Sequence, residues 1–247
     1  MPLLRLLILV LAICTGGATK GWAGEVRFIY LVPADRQEKP AYREAIGWAA
    51  RHFQAWLSSK TDGLTFELAD PLVLTVRSDR PAAWFQSAER HANYHAFYRN
   101  ASEELSRLGV AKAGDPTARY VVYVDADHAC GQSGAGGNGL AIVSANDLRG
   151  LVGEAIVPAC AQSNGAEIAG RCRWIGGMGH ELLHTLGLRH PDRSPACQTG
   201  QCRSRALMLH GYISYPEATL LEEELLFLRG SPFIGPNRLA SPASCAR

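Results

Sequence analysis

Neither sign of charge dominates this chain: 25 Lys and Arg stand against 23 Asp and Glu in 247 residues. With no basic excess, a general nucleic-acid or polyanion binder is not expected. Long apolar runs are also missing. Leu6 to Ile13 is far shorter than the roughly 20 residues that cross a bilayer, so no stable membrane insertion is expected. No internal repeat is visible, which sets aside solenoids and propellers. The glycines of Gly134 to Gly139 do not open a helix, so they are a cleft rim rather than a phosphate loop.

What is present begins at the N-terminus. Arg5, the apolar run and the small residues after it read as a secretory signal over residues 1–23, with Ala23 last before cleavage or Ala18 in its place. Its removal takes away Arg5 and Lys20 and leaves 23 basic against 23 acidic side chains. About 224 residues remain, enough for one domain over 24–247 with a substantial core. An upper lobe over about 24–187 and a lower lobe over about 188–247 are expected to flank a cleft. A strand begins almost directly after the signal, which leaves no room for a typical inhibitory pro-segment.

Six cysteines follow the signal: Cys130, Cys160, Cys172, Cys197, Cys202 and Cys245. An even number in an exported chain points to disulfides. Proximity favours Cys197 with Cys202 and Cys160 with Cys172, which leaves Cys130 for Cys245.

The densest information lies in His180-Glu181-Leu182-Leu183-His184-Thr185-Leu186-Gly187-Leu188-Arg189-His190. Helical positions four apart point about 40° from each other, so His180 and His184 share one face. Two neutral imidazoles so placed can hold one Zn²⁺. Glu181 is placed to take a proton from a water activated by that ion. A continuing helix would carry His190 away; Gly187 can take positive φ, end the helix and turn His190 back. Three histidines leave a fourth position open, the arrangement of a catalytic rather than a structural zinc.

This stretch resembles the extended zinc signature of the metzincin metallopeptidases, and the resemblance covers about residues 172–215. It implies that Met208, eighteen residues after His190, forms a tight turn beneath the metal. It also implies an edge strand above the metal that pairs with an extended substrate. By order that strand is 139–144, which makes Leu140, Ala141 and Ile142 substrate-binding candidates. The segment after Met208, with Leu209, Tyr212, Ile213 and Tyr215, would line the pocket for the residue following the cleaved bond, with an apolar preference. The chain departs from the pattern at His210, where a tyrosine is common. Pro191 after the third histidine is similar to the serralysins, but their Gly/Asp-rich calcium repeats are absent and cysteines are present. The clan is assigned and the subfamily left open.

The coarse periodicities fit that architecture. Glu25 to Val32 reads as a strand, Pro40 to Ser59 as a helix, and Leu64 to Val76 as a strand interrupted at Asp70-Pro71. Pro81 to Leu108 reads as a second long helix, and Arg119 to Val124 as a central strand. Thr219 with Glu222 resembles a capping box for a last helix, Leu220 to Arg229, stopped by Gly230. The fold class expected is α+β: a metzincin-like, mixed twisted sheet with two long helices and the zinc-binding helix, above a loop-rich C-terminal lobe with one helix.

Asp125, Asp127 and His128 are ligand types at the end of the central strand and form a candidate second, structural cation site. Asn100-Ala101-Ser102 is a glycosylation sequon that matters only in a eukaryotic source. The function expected is a secreted zinc endopeptidase acting on protein or peptide, with Glu181 as general base. The alternatives are a non-catalytic zinc-binding module and a metallohydrolase acting on a non-protein amide such as a cell-wall peptide.

Overall fold

A computed structural model describes residues 24–87, 95–128, 134–157, 170–191, 194, 197 and 200–245. Its centre is a five-stranded sheet in the order β3-β1-β4-β6-β5. The strands are β1 (Glu25–Val32), β3 (Leu68–Arg77), β4 (Ala118–Val124), β6 (Leu140–Val143) and β5 (Gly134–Gly137). The first four run parallel, and β5 alone runs antiparallel, at the edge beside β6. A small second ladder pairs β2 (Leu64–Thr65) with β7 (Gly235–Pro236).

Parallel strands need cover on both faces, and β4 shows it: every residue from Tyr120 to Val124 is buried. On one face Val121 and Tyr123 meet α1 (Pro40–Lys60), α4 (Ala145–Val152) and α5 (Cys172–Thr185) in the larger core, with Phe53, Trp56, Leu148, Ile175 and Met178. On the other, Val122 and Val124 meet α3 (Ala96–Arg107) and the short α2 (Ala82–Gln86) through Phe85, Phe97, Ala101 and Leu105. After α5 come α6 (Gly200–Arg205), a 3-10 turn (Gly211–Ser214) and α7 (Glu222–Gly230).

Several expectations hold to within a residue or two, among them β1, α1, β4 and α5. The second long helix does not. Helix α2 ends at Gln86, Ser87 is extended, and α3 starts at Ala96; residues 88–94 lie outside the described residues. The reason is Asn100, whose fully buried side-chain amide donates to the carbonyls of Trp84, Phe85 and Ser87. It takes the carbonyls that a continuing helix would have bonded. The same three bonds enclose the sequon nitrogen, so Asn100 is closed to glycosylation in the folded chain.

Helix α4 was not expected. It has clear terminal signals: the Asp147 carboxylate accepts the Ser144 amide, and Gly153 closes the helix in the left-handed region. The last helix is capped by Glu224, which accepts the Leu221 amide, two residues beyond the Thr219/Glu222 box that the sequence favours.

Cys197 pairs with Cys202 as expected. The longer pairing differs: Cys172 bonds Cys245, 73 residues away, which overturns both Cys160–Cys172 and Cys130–Cys245. Cys130 and Cys160 lie outside the described residues. The pairing follows from the path of the last residues along α1. Ser58 donates to the Asn237 carbonyl and accepts the Leu239 amide, and His52 meets the Ala243 carbonyl. The segment therefore reaches the first residue of α5. Replacing Cys245 by serine is expected to cost about 2–5 kcal/mol, read as a fall of roughly 5–15 °C in the melting temperature for a chain this long. An unchanged melting curve would contradict the pairing.

Candidate metal centre

Helix α5 presents His180 and His184 on one face, and the chain then reverses. The last helical residue is Thr185, and Gly187 takes a φ of 103°, open to glycine at little cost. His190 comes back to the pair. The Nε2 atoms of His180, His184 and His190 lie 3.0–3.1 Å from one another.

The short distance between His180 and His184 is not a hydrogen bond. His180 donates its Nδ1 proton to the Leu207 carbonyl at 2.7 Å, and His184 donates its own to the Leu188 carbonyl at 2.8 Å. A neutral imidazole has one N–H, so both Nε2 atoms carry lone pairs and face a third nitrogen. Convergent lone pairs repel unless a cation lies between them. Two tetrahedral ligands about 2.0–2.1 Å from one zinc stand roughly 3.3–3.4 Å apart, close to the spacing here. The donor set therefore fits a zinc ion, and among the described residues it is the only group of three or more such side chains that converges.

His180 and His184 are held neutral. Burial pushes His180 down to about 3, and the neighbouring His184 and His190 add to the effect against the pull of the Leu207 carbonyl. Burial likewise lowers His184. Glu181 moves the other way, pushed up to about 8 by burial and by the Asp147 carboxylate, while Arg173 and the Gly136 amide oppose the rise.

Met208 is fully buried in the turn that follows Ala206, and its neighbour Leu207 supplies the carbonyl that orients His180. Beyond it, Tyr212 and Tyr215 part company. The Tyr212 ring stands edge-on to His180, with centroids 5.4 Å apart. Tyr215 turns inward and is buried; its hydroxyl donates to Nδ1 of His52 at 2.7 Å, while Nε2 of His52 donates to Ala243. Tyr215 is thus a core residue beneath the site, contrary to the pocket-lining role expected of it.

The strand beside the metal helix also differs from expectation. Leu140, Ala141 and Ile142 are buried and paired on both sides, to β4 and to β5, so they form an interior strand. The edge strand is the glycine segment Gly134–Gly137, reached through a tight turn at Asn138 and Gly139, both with positive φ. Asn-Gly between two β segments is a strong hairpin signal, and it would have located this strand from sequence. Glycine is required there for space: a Cβ on Gly136 would sit 2.2 Å from the Glu181 carbonyl oxygen. Gly136→Ala is accordingly expected to separate β5 from α5, read as faster hydrogen exchange of the β5 amides. An alanine variant with parental protection of β5 would contradict the contact.

The second cation site is not assembled. Asp125 accepts the Tyr30 hydroxyl, Asp127 pairs with Arg149, and the His128 ring stands against Phe97. Each group has its own neighbour and none converges on a common point.

No protein-family model and no curated protein matches the chain. Solved structures do resemble it in fold. Wild-type OgpA from Akkermansia muciniphila superposes with a TM-score of 0.55 at 16% identity, over 90% of this chain and 64% of that one. A second crystal form gives 0.56 and 18%, over 87% and 63%. Catalytically inactive OgpA in complex with an O-glycopeptide substrate gives 0.55 and 16%, over 87% and 62%. The chain thus spans less than two thirds of the length of these structures.

Proposed function

We propose that this chain is an exported, zinc-dependent endopeptidase of the metzincin type. The observation that carries the reading is the convergence of three imidazole Nε2 atoms beside Glu181, on a helix that lies against the edge strand of the sheet. His180, His184 and His190 would hold the ion. Zinc bound there supplies a Lewis acid that polarises the scissile carbonyl and makes water acidic enough to be deprotonated near neutral pH.

The chain's own groups do the rest. Glu181 takes the proton from the attacking water and returns it to the leaving amine. The Gly136 amide bonds the Glu181 carboxylate and holds it at the strand edge. The backbone of β5 offers an antiparallel partner to an extended peptide, so affinity comes from main-chain pairing. Leu207 and Leu188 orient two of the ligands through their carbonyls.

We extend the proposal to substrate class. OgpA is recorded with an O-glycopeptide, and β5 here bears nothing larger than the methyl group of Ala135. A strand without side chains leaves room for a bulky substituent on the peptide beside it. The proposed substrates are therefore peptides, O-glycosylated ones included.

The test is metal content together with cleavage of matched peptide pools, plain and O-glycosylated, by the protein lacking residues 1–23. One zinc per chain with cleavage of either pool is the expected result. One zinc and intact peptides in both pools would discard the peptidase reading.

A further inference from the structure

An open groove of about 780 Å³ crosses the outer side of α1. One wall is β3, an edge strand of the sheet, through Leu72 and Val73. The other is the end of α4 with Arg171, the residue before α5. Nine helical residues separate Arg171 from His180, roughly 13 Å along the axis, so the groove is apart from the metal centre.

Its floor is apolar and shallow because α1 has little side chain there. Ala45 and Gly47 both line it, and a Cβ on Gly47 would stand 3.2 Å from Cδ2 of Leu72. Arg43 and Arg51 flank that glycine, one helical turn to either side, with their backbones about 12 Å apart. Both side chains line the groove.

The guanidinium carbon of Arg171 lies 4.7 Å from the Trp48 ring centre, and the His52 ring lies 5.0 Å from the same indole. Trp48 is thereby engaged, and it anchors an arginine rather than stacking on a sugar. Arg51 is exposed, with no ion pair or hydrogen bond among the described residues. Arg43 reaches Glu38 only at 3.7 Å, with both side chains well exposed, and such a pair holds it weakly. Against these three cations the groove has one acid, Glu44. The excess is local, since charge over the whole chain is nearly balanced.

We propose that this groove binds an extended, acidic segment of a polypeptide. Carboxylates four residues apart on an extended chain stand about 13 Å apart, which matches Arg43 and Arg51. A guanidinium receives a carboxylate through two parallel N–H bonds. The residue midway between the two acids faces the same way and meets the apolar floor at Gly47 and Leu72. The segment recognised therefore has the form acid-x-apolar-x-acid. Binding there does not depend on the peptidase reading; a peptidase would use it to hold a protein substrate by a segment remote from the cleaved bond.

The experiment uses the Glu181→Gln protein and a labelled peptide of serine and threonine that carries two glutamates four residues apart with leucine midway. Its twin has glutamine at both acid positions. By fluorescence anisotropy at low salt the glutamate peptide is expected to bind about tenfold more tightly, the scale of two exposed ion pairs, and added salt should erase the difference. Arg51→Glu should weaken the glutamate peptide by about tenfold and leave its twin unaffected. Arg171→Ala should act in the same direction and serves if Arg51→Glu does not fold. Equal affinity for the twins overturns the proposal, as does a folded Arg51→Glu protein of parental affinity. So does a sulfated oligosaccharide that binds where the glutamate peptide does not, which would give the groove to glycans. Self-association that Arg51→Glu abolishes, without peptide binding, would give it to a second copy of the chain and overturn the proposal likewise. No cleavage is read, so failure of the peptidase reading would leave this result standing.

Discussion

Glu181→Gln is expected to bind zinc with the stoichiometry of the parent and to hydrolyse peptide about 10²–10⁴-fold more slowly, the usual contribution of a positioned general base. Glutamine keeps the shape and can still accept the Gly136 amide, so β5 should remain seated on α5. What it loses is the capacity to take a proton from water. The substitution should also raise the melting temperature of the metal-free chain, because it removes a carboxyl group that burial and Asp147 disfavour as an anion. His184→Ala is the counterpart and should lose metal and activity together. Measured side by side, zinc content, kcat and melting temperature separate the two: a glutamine variant of parental rate would take Glu181 out of the chemistry.

Removing metal should have the larger effect on stability. At a zinc concentration a thousand times its dissociation constant, binding contributes about 4 kcal/mol, which for a chain of this length is roughly 10 °C of melting temperature. The pH dependence of the metal-free chain follows from the two shifted groups. His180 titrates near 3 in the folded chain against an ordinary 6.5, so the folded state refuses a proton that the unfolded state binds. That stability is whole above 6.5 and is lost as pH falls towards 3. Glu181 has the opposite sign: raised from 4.5 to about 8, it favours folding at low pH and loses that stability as pH rises from 4.5 through 8. The metal-free protein is therefore disfavoured from both directions near pH 5–7, and a cation relieves both at once. Melting curves at pH 5 and 7.5, with and without a chelator, should show a zinc increment that is largest at pH 7.5, where protons do not compete for the imidazoles. Curves that ignore the chelator at both values would remove the metal site.

The sequence was informative where one local pattern determined the outcome. His180 to His190 encodes its geometry in eleven residues, and the continuous apolar, β-branched and aromatic runs of β1 and β4 need no partner to be recognised. It was silent where an outcome depended on a distant group. Nothing near residue 87 announces that Asn100 will take the carbonyls ending α2. Nothing in Cys172 names Cys245, because fifteen pairings of six cysteines satisfy the spacing equally. The edge strand was missed for a different reason. Glycine has poor strand propensity, so Gly134–Gly137 read as a rim, although Asn138-Gly139 carried the hairpin signal.

The bond between Cys172 and Cys245 closes a covalent ring, and that ring contains His180, His184, His190, Met208 and Tyr212. A chain with the peptidase activity proposed above would be exposed to its own kind in solution. A single cut anywhere within this ring leaves the metal-bearing helix and the turn beneath it joined in one molecule, so self-digestion inside the site does not disperse it. The segment between β1 and α5 has no such enclosure from this bond, and that is where the first inactivating nick should fall.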